Sequence, residues 1–230
     1  KESLEILLDF VQSPYFTQES VEKERGIIAQ EIKMYEDDPD CRVHFNLLGA
    51  MYKNHPIRLD IAGTVESISQ ITPEYLYECY NAFYNLNNMA LCISGNIDVD
   101  DTMAIIDKHV KYSEPLLTQR ILPEEPSKVT EKTVVQRFDV SSPMFQLGFK
   151  ESVKNDNRTD EKDLACINII LNSLQSKASP MYNRLLDSEL INTTSFDCDY
   201  MEVPGMSAVI FASESREPYK ASEIIKEEIE

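Results

Sequence analysis

The stretch Val21-Glu22-Lys23-Glu24-Arg25-Gly26-Ile27-Ile28-Ala29-Gln30-Glu31-Ile32-Lys33-Met34-Tyr35 constrains the fold of this chain most tightly. Wound as a helix at about 100° per residue, it places Val21, Ile28, Ile32 and Tyr35 on one stripe, which must lie against a core. Glu24 and Glu31 are seven residues apart, so they fall within about 20° of each other and about two turns apart on the flank of that stripe. A carboxylate there must be solvated, paired or bound to a metal, and the helix alone leaves all three open.

A chain of 230 residues can form one large domain or two small ones around a sizeable core. Its 42% hydrophobic and 27% charged residues describe a folded globular protein. Forty acidic against 22 basic residues give a net charge of −18, which disfavours nucleic acid and anionic membranes because phosphate binding needs clustered Lys and Arg. The same balance is compatible with basic peptides. Five scattered cysteines (Cys41, Cys79, Cys92, Cys166, Cys198) form no Cys-x-x-Cys pair. Four of them lie in apolar-periodic segments, so buried free thiols in a reducing, cytoplasmic setting are expected. No apolar run reaches the 18 or so residues of a membrane span.

In chain order, Leu4, Leu7, Leu8 and Val11 predict a helix over Glu2–Val11. Thr17 is the expected N-cap of the central helix, and Asp38-Pro39 starts the next, with Val43, Leu47, Leu48 and Met51 inward. After an Asn54–Ala62 loop, Gly63-Thr64 opens a short helix through Gln70. Thr72-Pro73-Glu74 starts another, with Leu76, Cys79, Tyr80 and Phe83 inward. Met89–Ser94 reads as a short buried strand and Val99–Lys111 as a helix. Pro115, Pro123 and Pro126 mark residues 113–128 as a stiffened linker between segments 1–112 and 129–230.

Beyond the linker, Lys132–Val140 and Met144–Lys150 alternate and read as a hairpin turned by Ser141-Ser142. A polar loop, Ser152–Thr159, precedes a helix carrying Leu164, Ile167, Leu171 and Leu174, and Pro180–Leu190 is a further helix. Thr194–Tyr200 alternates, Val203-Pro204-Gly205 turns, and Met206–Ala212 returns as a second hairpin. The chain begins and ends inside helical patterns, which suggests a piece of something longer.

Several chemistries are absent by pattern. The three histidines, His44, His55 and His109, form neither His-x-x-x-His nor His-x-x-Glu-His. His44 reads as a packing or surface residue, His55 as a turn residue before Pro56, and His109 as a helix C-terminal residue favoured by the dipole. Six glycines form no nucleotide-cradling loop, no Gly-x-Ser-x-Gly elbow occurs, and Asp197-Cys198-Asp199 is no calcium loop.

The run Phe16-Thr17-x-Glu19-x-Val21-x-x-Glu24-Arg25-x-Ile27-Ile28-x-x-Glu31-Ile32 resembles the insulinase/pitrilysin (inverzincin) family of zinc metallopeptidases. His55-Pro56, Gly63-Thr64-Val65-Glu66-x-Ile68, Ile71-Thr72-Pro73-Glu74, Phe83-Tyr84-x-x-x-Asn88-Met89-x-Leu91 and Gly95-Asn96-Ile97-Asp98 follow in the family's order. The match is closest to the bacterial branch similar to the mitochondrial processing peptidase; over 129–230 it rests on element order and on Asn183-Arg184-Leu185.

The resemblance implies an α+β fold of mainly antiparallel sheets with helices packed on one face, spanning parts of two homologous domains. It implies a zinc endopeptidase in which two histidines of His-x-x-Glu-His hold Zn2+ and the motif's glutamate is the general base. Glu31 corresponds to the third zinc ligand and Glu24 to its supporting carboxylate. Three protein ligands leave a fourth position for an activated water. Because His-x-x-Glu-His does not occur in these residues, the chain by itself is expected to bind no catalytic zinc and to be inactive. Relatives that complete their own site carry an Arg and, seven residues on, a Tyr after the segment resembling Asn183-Arg184-Leu185. Here Leu186–Phe196 contains no Arg, and Phe196 stands near the Tyr position. A homologous partner subunit supplying that Arg–Tyr pair is therefore implied, with peptides as substrates. The alternative is a non-catalytic scaffold or peptide-binding subunit, and a third is an acidic α/β interaction domain outside the family.

Overall fold

In a computed structural model, residues 1–116, 118–152 and 159–229 are described. The elements are α1 (Glu2–Val11), α2 (Gln18–Glu36), α3 (Pro39–Met51), α4 (Val65–Ser69), α5 (Pro73–Phe83), α6 (Val99–His109), β1 (Met144–Ser152), α7 (Glu161–Leu174), α8 (Pro180–Asp187), β2 (Asp197–Val203), β3 (Met206–Glu214) and α9 (Pro218–Ile229). They fall into two compact units interleaved in sequence: residues 1–31 with 64–121, and residues 32–63 with 122–229. The proline-rich segment 113–128 is thus shared between the units, the division falling after Ile121.

The helix starts follow from capping chemistry that the sequence displays. The Thr17 hydroxyl accepts from the Ser20 N–H at 3.1 Å and opens α2. Asp38 accepts from the N–H groups of Asp40 and Cys41 at 2.8 and 3.2 Å, with Pro39 in the first turn of α3. Thr64 and Ser67 form a reciprocal capping box on α4, and Thr72 accepts from Tyr75 at 3.2 Å ahead of Pro73. Each such cap satisfies an otherwise orphaned helix N–H and is worth about 1 kcal/mol.

The first unit is helical. α1 and α6 lie side by side, tied by the Gln12 side chain, which donates to the His109 carbonyl at 3.1 Å and accepts the Lys111 N–H at 2.7 Å. Tyr80 donates to the Val11 carbonyl at 2.7 Å and stacks on Tyr84, with ring centroids 4.8 Å apart. Met89–Ser94, expected as a buried strand, is mostly exposed and joins no ladder among the described residues. A strand needs a neighbour for its backbone groups, and apolar content alone supplies none. Phe83, expected inward, is also exposed; α5 turns Leu76, Cys79 and Tyr80 toward its neighbours instead.

The second unit contains an antiparallel sheet in the order β1-β3-β2. The β2–β3 hairpin forms as expected. Pro204-Gly205 makes its turn, with Gly205 at φ +83°, the residue order of a type II turn. The Lys132–Val140 hairpin does not form. Residues 132–140 carry no strand, and β1 pairs with β3 instead, Met144 opposite Glu214 through Ser152 opposite Met206. Ser141-Ser142 lacks a residue suited to the left-handed backbone of a tight hairpin, and alternation marks a strand without naming its partner. The Ser152–Thr159 loop lies mostly outside the described residues.

One face of the sheet packs on α7, α8 and α9 through Phe145, Leu171, Met181, Leu185, Phe211 and Ile225. The other receives α3 through Leu48, Met51 and Tyr52 against Met206, Ala208 and Ile210. α3 approaches β1 closely where residue 148 is glycine: a Cβ there would clash with the Met51 sulfur. All five cysteines are free as expected, but only Cys198 is buried; Cys92 and Cys166 are exposed. Burial, reinforced by Asp197 and Asp199, pushes the Cys198 thiol up to about 12.

Beside Tyr52 lies a buried ion pair. Lys150 Nζ meets Glu125 Oε1 at 2.8 Å, with side chains 1% and 3% exposed. Lys150 also donates to the carbonyls of Met51 and Pro126 at 2.8 and 2.7 Å and sits 4.9 Å from the Tyr52 ring centre. Glu125 accepts the N–H groups of Lys53, Asn54 and His55 at 2.8, 2.6 and 2.7 Å. Burial alone would push the Glu125 carboxyl up; the Lys150 and backbone hydrogen bonds outweigh it and hold the group down at about 2. Burial and the Glu125 charge push the Tyr52 phenol up to about 12.

Because the Glu125 carboxyl is depressed on folding, its stabilisation is present above about 4.5 and is lost as pH falls toward about 2. Acid titration followed by circular dichroism should show a loss on the order of 1–3 kcal/mol over that window, absent in Glu125→Gln. Lys150→Met, which leaves Glu125 buried without its cation, should lower urea-unfolding stability by about 3–5 kcal/mol. Gly148→Val should cost about 1–3 kcal/mol by the same measurement, through overpacking against Met51.

Candidate functional site

α2 carries the candidate residues, and its first half is fixed within the helical unit. Val21 is buried; the Phe16 N–H donates to the Tyr77 hydroxyl at 3.0 Å, and the two rings meet edge to face at 5.0 Å. Arg25 Nη1 donates to the Ser69 carbonyl at 2.8 Å, where α4 ends. Gln18 and Glu22 bond to each other along the helix surface at 2.6 Å. The predicted stripe holds: Val21 and Ile32 are buried, Ile28 and Tyr35 half-buried.

Glu24 and Glu31 lie on one edge of α2 and are exposed. Exposure is also what a wet helix margin shows. The neighbouring stripe is apolar, however: Ile27 is 50% exposed and Met34 60% exposed, seven residues apart in phase with the two glutamates. Carboxylates beside uncovered apolar side chains describe a surface that another polypeptide can cover. Ile27 and Met34 lie outside the stripe of Val21, Ile28, Ile32 and Tyr35, and their angle on the helix, about 60° from the glutamates, is the signal that could have marked them.

A zinc site needs three or more protein donors, and among the described residues no cluster of three His, Cys, Asp or Glu side chains could hold a metal. Glu24 and Glu31 belong to no such cluster among the described residues. The histidines have structural partners instead. His44 lies 3.2 Å from the Gln146 side chain. His55 is buried, accepts the Ile57 N–H at Nδ1 (3.1 Å) and reaches the Pro204 carbonyl from Nε2 at 3.1 Å, closing a loop as a turn residue. His109, at the end of α6, lies 3.1 Å from Asp9 and 3.9 Å from Glu5.

The downstream positions are structural as well. Arg184 bonds Glu227 and Glu228 of α9 at 2.7 and 3.1 Å. Phe196 packs edge to face on Tyr182, centroids 5.8 Å apart, and lies beside Phe211 in the core, so it offers no hydroxyl to any site. No helix among the described residues is long and apolar enough to cross a membrane.

Residues 1–65 match the family model described as Insulinase (Peptidase family M16), and residues 70–230 match that described as Peptidase M16 inactive domain. The chain is 38% identical over 229 residues to an uncharacterized zinc protease of Bacillus subtilis, YmfH, covering 97% of this chain and 53% of that protein. It is 27% identical over 158 residues to a probable inactive metalloprotease of the same organism, YmfF, covering 66% and 37%. A crystal structure of a putative M16-like peptidase from Alicyclobacillus acidocaldarius superposes with a TM-score of 0.86 at 37% identity, covering 97% of this chain and 53% of the other. The chain thus spans about half the length of these full matches. The ordered landmarks around Glu24 and Glu31, the helix-and-antiparallel-sheet fold and the matches along its length place this chain in the insulinase (M16) family of peptidases.

Proposed function

We propose that this chain is part of a zinc-dependent endopeptidase, to which α2 contributes Glu31 as one metal ligand and Glu24 as its supporting carboxylate. The two histidines and the general-base glutamate come from polypeptide outside these 230 residues. The observation that carries this reading is the exposed edge of α2, where Glu24 and Glu31 run beside uncovered Ile27 and Met34. A covering helix would bury those two apolar side chains and bring further donors to the carboxylates. The name of the B. subtilis relative, a zinc protease, supports the metal and the reaction class. On this reading the chain alone cleaves nothing, and peptide bonds are hydrolysed by metal-activated water only in the completed protein.

Peptide substrates and a homologous partner subunit supplying an Arg–Tyr pair belong to the same proposal. The exposed ion pairs of Arg184 and the half-buried Phe196 support it, since neither can serve as that pair. Nucleic acid and membrane are not among the proposed partners, in keeping with the charge of −18. Five free cysteines support a reducing, cytoplasmic setting. A second reading, a non-catalytic scaffold or peptide-binding subunit, is favoured by the match of residues 70–230 to a domain described as inactive and by the likeness to YmfF.

The test is metal analysis of the full-length protein beside the 230-residue chain. The full-length protein should hold one zinc per copy, and the short chain none. Glu24→Gln should weaken zinc binding by about 10–100-fold with urea stability changed by less than about 0.5 kcal/mol, and Glu31→Gln should abolish stoichiometric binding. A full-length protein that holds no zinc supports the scaffold reading. Stoichiometric zinc in the short chain, or in Glu31→Gln, overturns the assignment of the ligand.

A further inference from the structure

Arg25 follows Glu24 in sequence, yet its guanidinium is engaged on another side of α2. Nη1 donates to the Ser69 carbonyl at 2.8 Å, and Nη2 lies 3.9 Å from Glu22, with the side chain 27% exposed. Ser69 closes α4, and the last carbonyls of a helix have no intrahelical donor, so Arg25 supplies one. Taking Glu24 as zero at about 100° per residue, Glu31 falls at about −20°, Ile28 at about 40°, Val21 at about 60° and Arg25 at about 100°. The inward stripe of Val21 and Ile28 is therefore flanked by the carboxylates on one side and by Arg25 on the other.

A second tie comes from the next helix along. Tyr77 of α5 accepts the Phe16 N–H just ahead of α2, and all of these residues belong to the first unit. Phe16 lies outside the helix, so its bond fixes where α2 begins without fixing how the helix is turned about its own axis. Burial of Val21 is non-directional and tolerates a range of rotation. The Arg25 bond is off the axis and directional, so it removes that freedom. A carboxylate about 6 Å from the helix axis moves about 1 Å for a rotation of about 10°. A ligand constellation tolerates only about 0.5 Å. We infer that Arg25 is a positioning residue of the proposed zinc site: its bond to Ser69 sets the rotation of α2, and so the places of Glu24 and Glu31. That role rests on the proposed function of the two glutamates, and Arg25 itself touches neither metal nor substrate.

Zinc affinity of the full-length protein, measured by competition with a chromophoric chelator, tests the inference. Arg25→Met should weaken zinc binding by about 10–100-fold, with the circular dichroism spectrum unchanged. Arg25→Lys, whose ammonium can make the same single bond to Ser69, should recover most of that loss. Tyr80→Phe removes the hydroxyl that donates to the Val11 carbonyl at 2.7 Å in the same unit. It controls for lost stability alone and should bind zinc as the wild type does. Wild-type affinity in Arg25→Met overturns the inference and leaves the zinc reading intact; so does equal weakening in Tyr80→Phe or in Arg25→Lys. If Arg25→Met does not fold, Arg25→Gln takes its place, and affinity equal to that of Arg25→Lys overturns the inference. A wild-type protein without zinc overturns the zinc reading and this inference together, so the two failures are told apart.

Discussion

The buried pair of Lys150 and Glu125 holds together three pieces of chain that are distant in sequence. Its lysine comes from β1, its carboxylate from the proline-marked segment 113–128, and most of its remaining hydrogen-bond partners from the residues just after α3. Two charges taken out of water are costly unless every donor and acceptor is matched. Here the three ammonium protons find Glu125 and the carbonyls of Met51 and Pro126, while the carboxylate accepts three successive backbone N–H groups besides. The pair therefore specifies position more than it adds stability: residues 122–128 cannot slide along the unit without stranding a charge. The docking of α3, the approach of Met51 to Gly148 and the loop closed by His55 on Pro204 all lie beside this anchor.

α2 presents the opposite physics. Its buried stripe and its bonds to Tyr77 and Ser69 fix the helix, while its glutamate edge is exposed with apolar side chains beside it. A carboxylate ligand in a rigid helix is preorganised, since its backbone position is set before metal or partner arrives. In the proposed reading, that arrangement lets one helix present Glu24 and Glu31 to donors from elsewhere.

Much of the helical framework was legible because capping is local. Thr17, Asp38, Thr64 and Thr72 each bond an N–H within three residues, so their sequence positions alone mark helix starts. Strand partners were less legible because pairing is not local. The Pro204-Gly205 hairpin was readable from its turn, but the alternation of Lys132–Val140 named no partner, and Met89–Ser94 found none among the described residues. The outward turn of Phe83 and the exposure of Cys92 and Cys166 failed for a related reason: apolar spacing marks a face without saying whether anything covers it.

For the candidate site, the sequence by itself determined the phase of Glu24 and Glu31 on one helix edge and the absence of a histidine pair, since both follow from spacing and composition. Only the tertiary structure decided that this edge is exposed beside Ile27 and Met34, that Glu125 answers Lys150, and that β1 pairs with β3. Those outcomes depend on which distant segments meet, and a buried charge or an unpaired N–H acquires its partner only when they do.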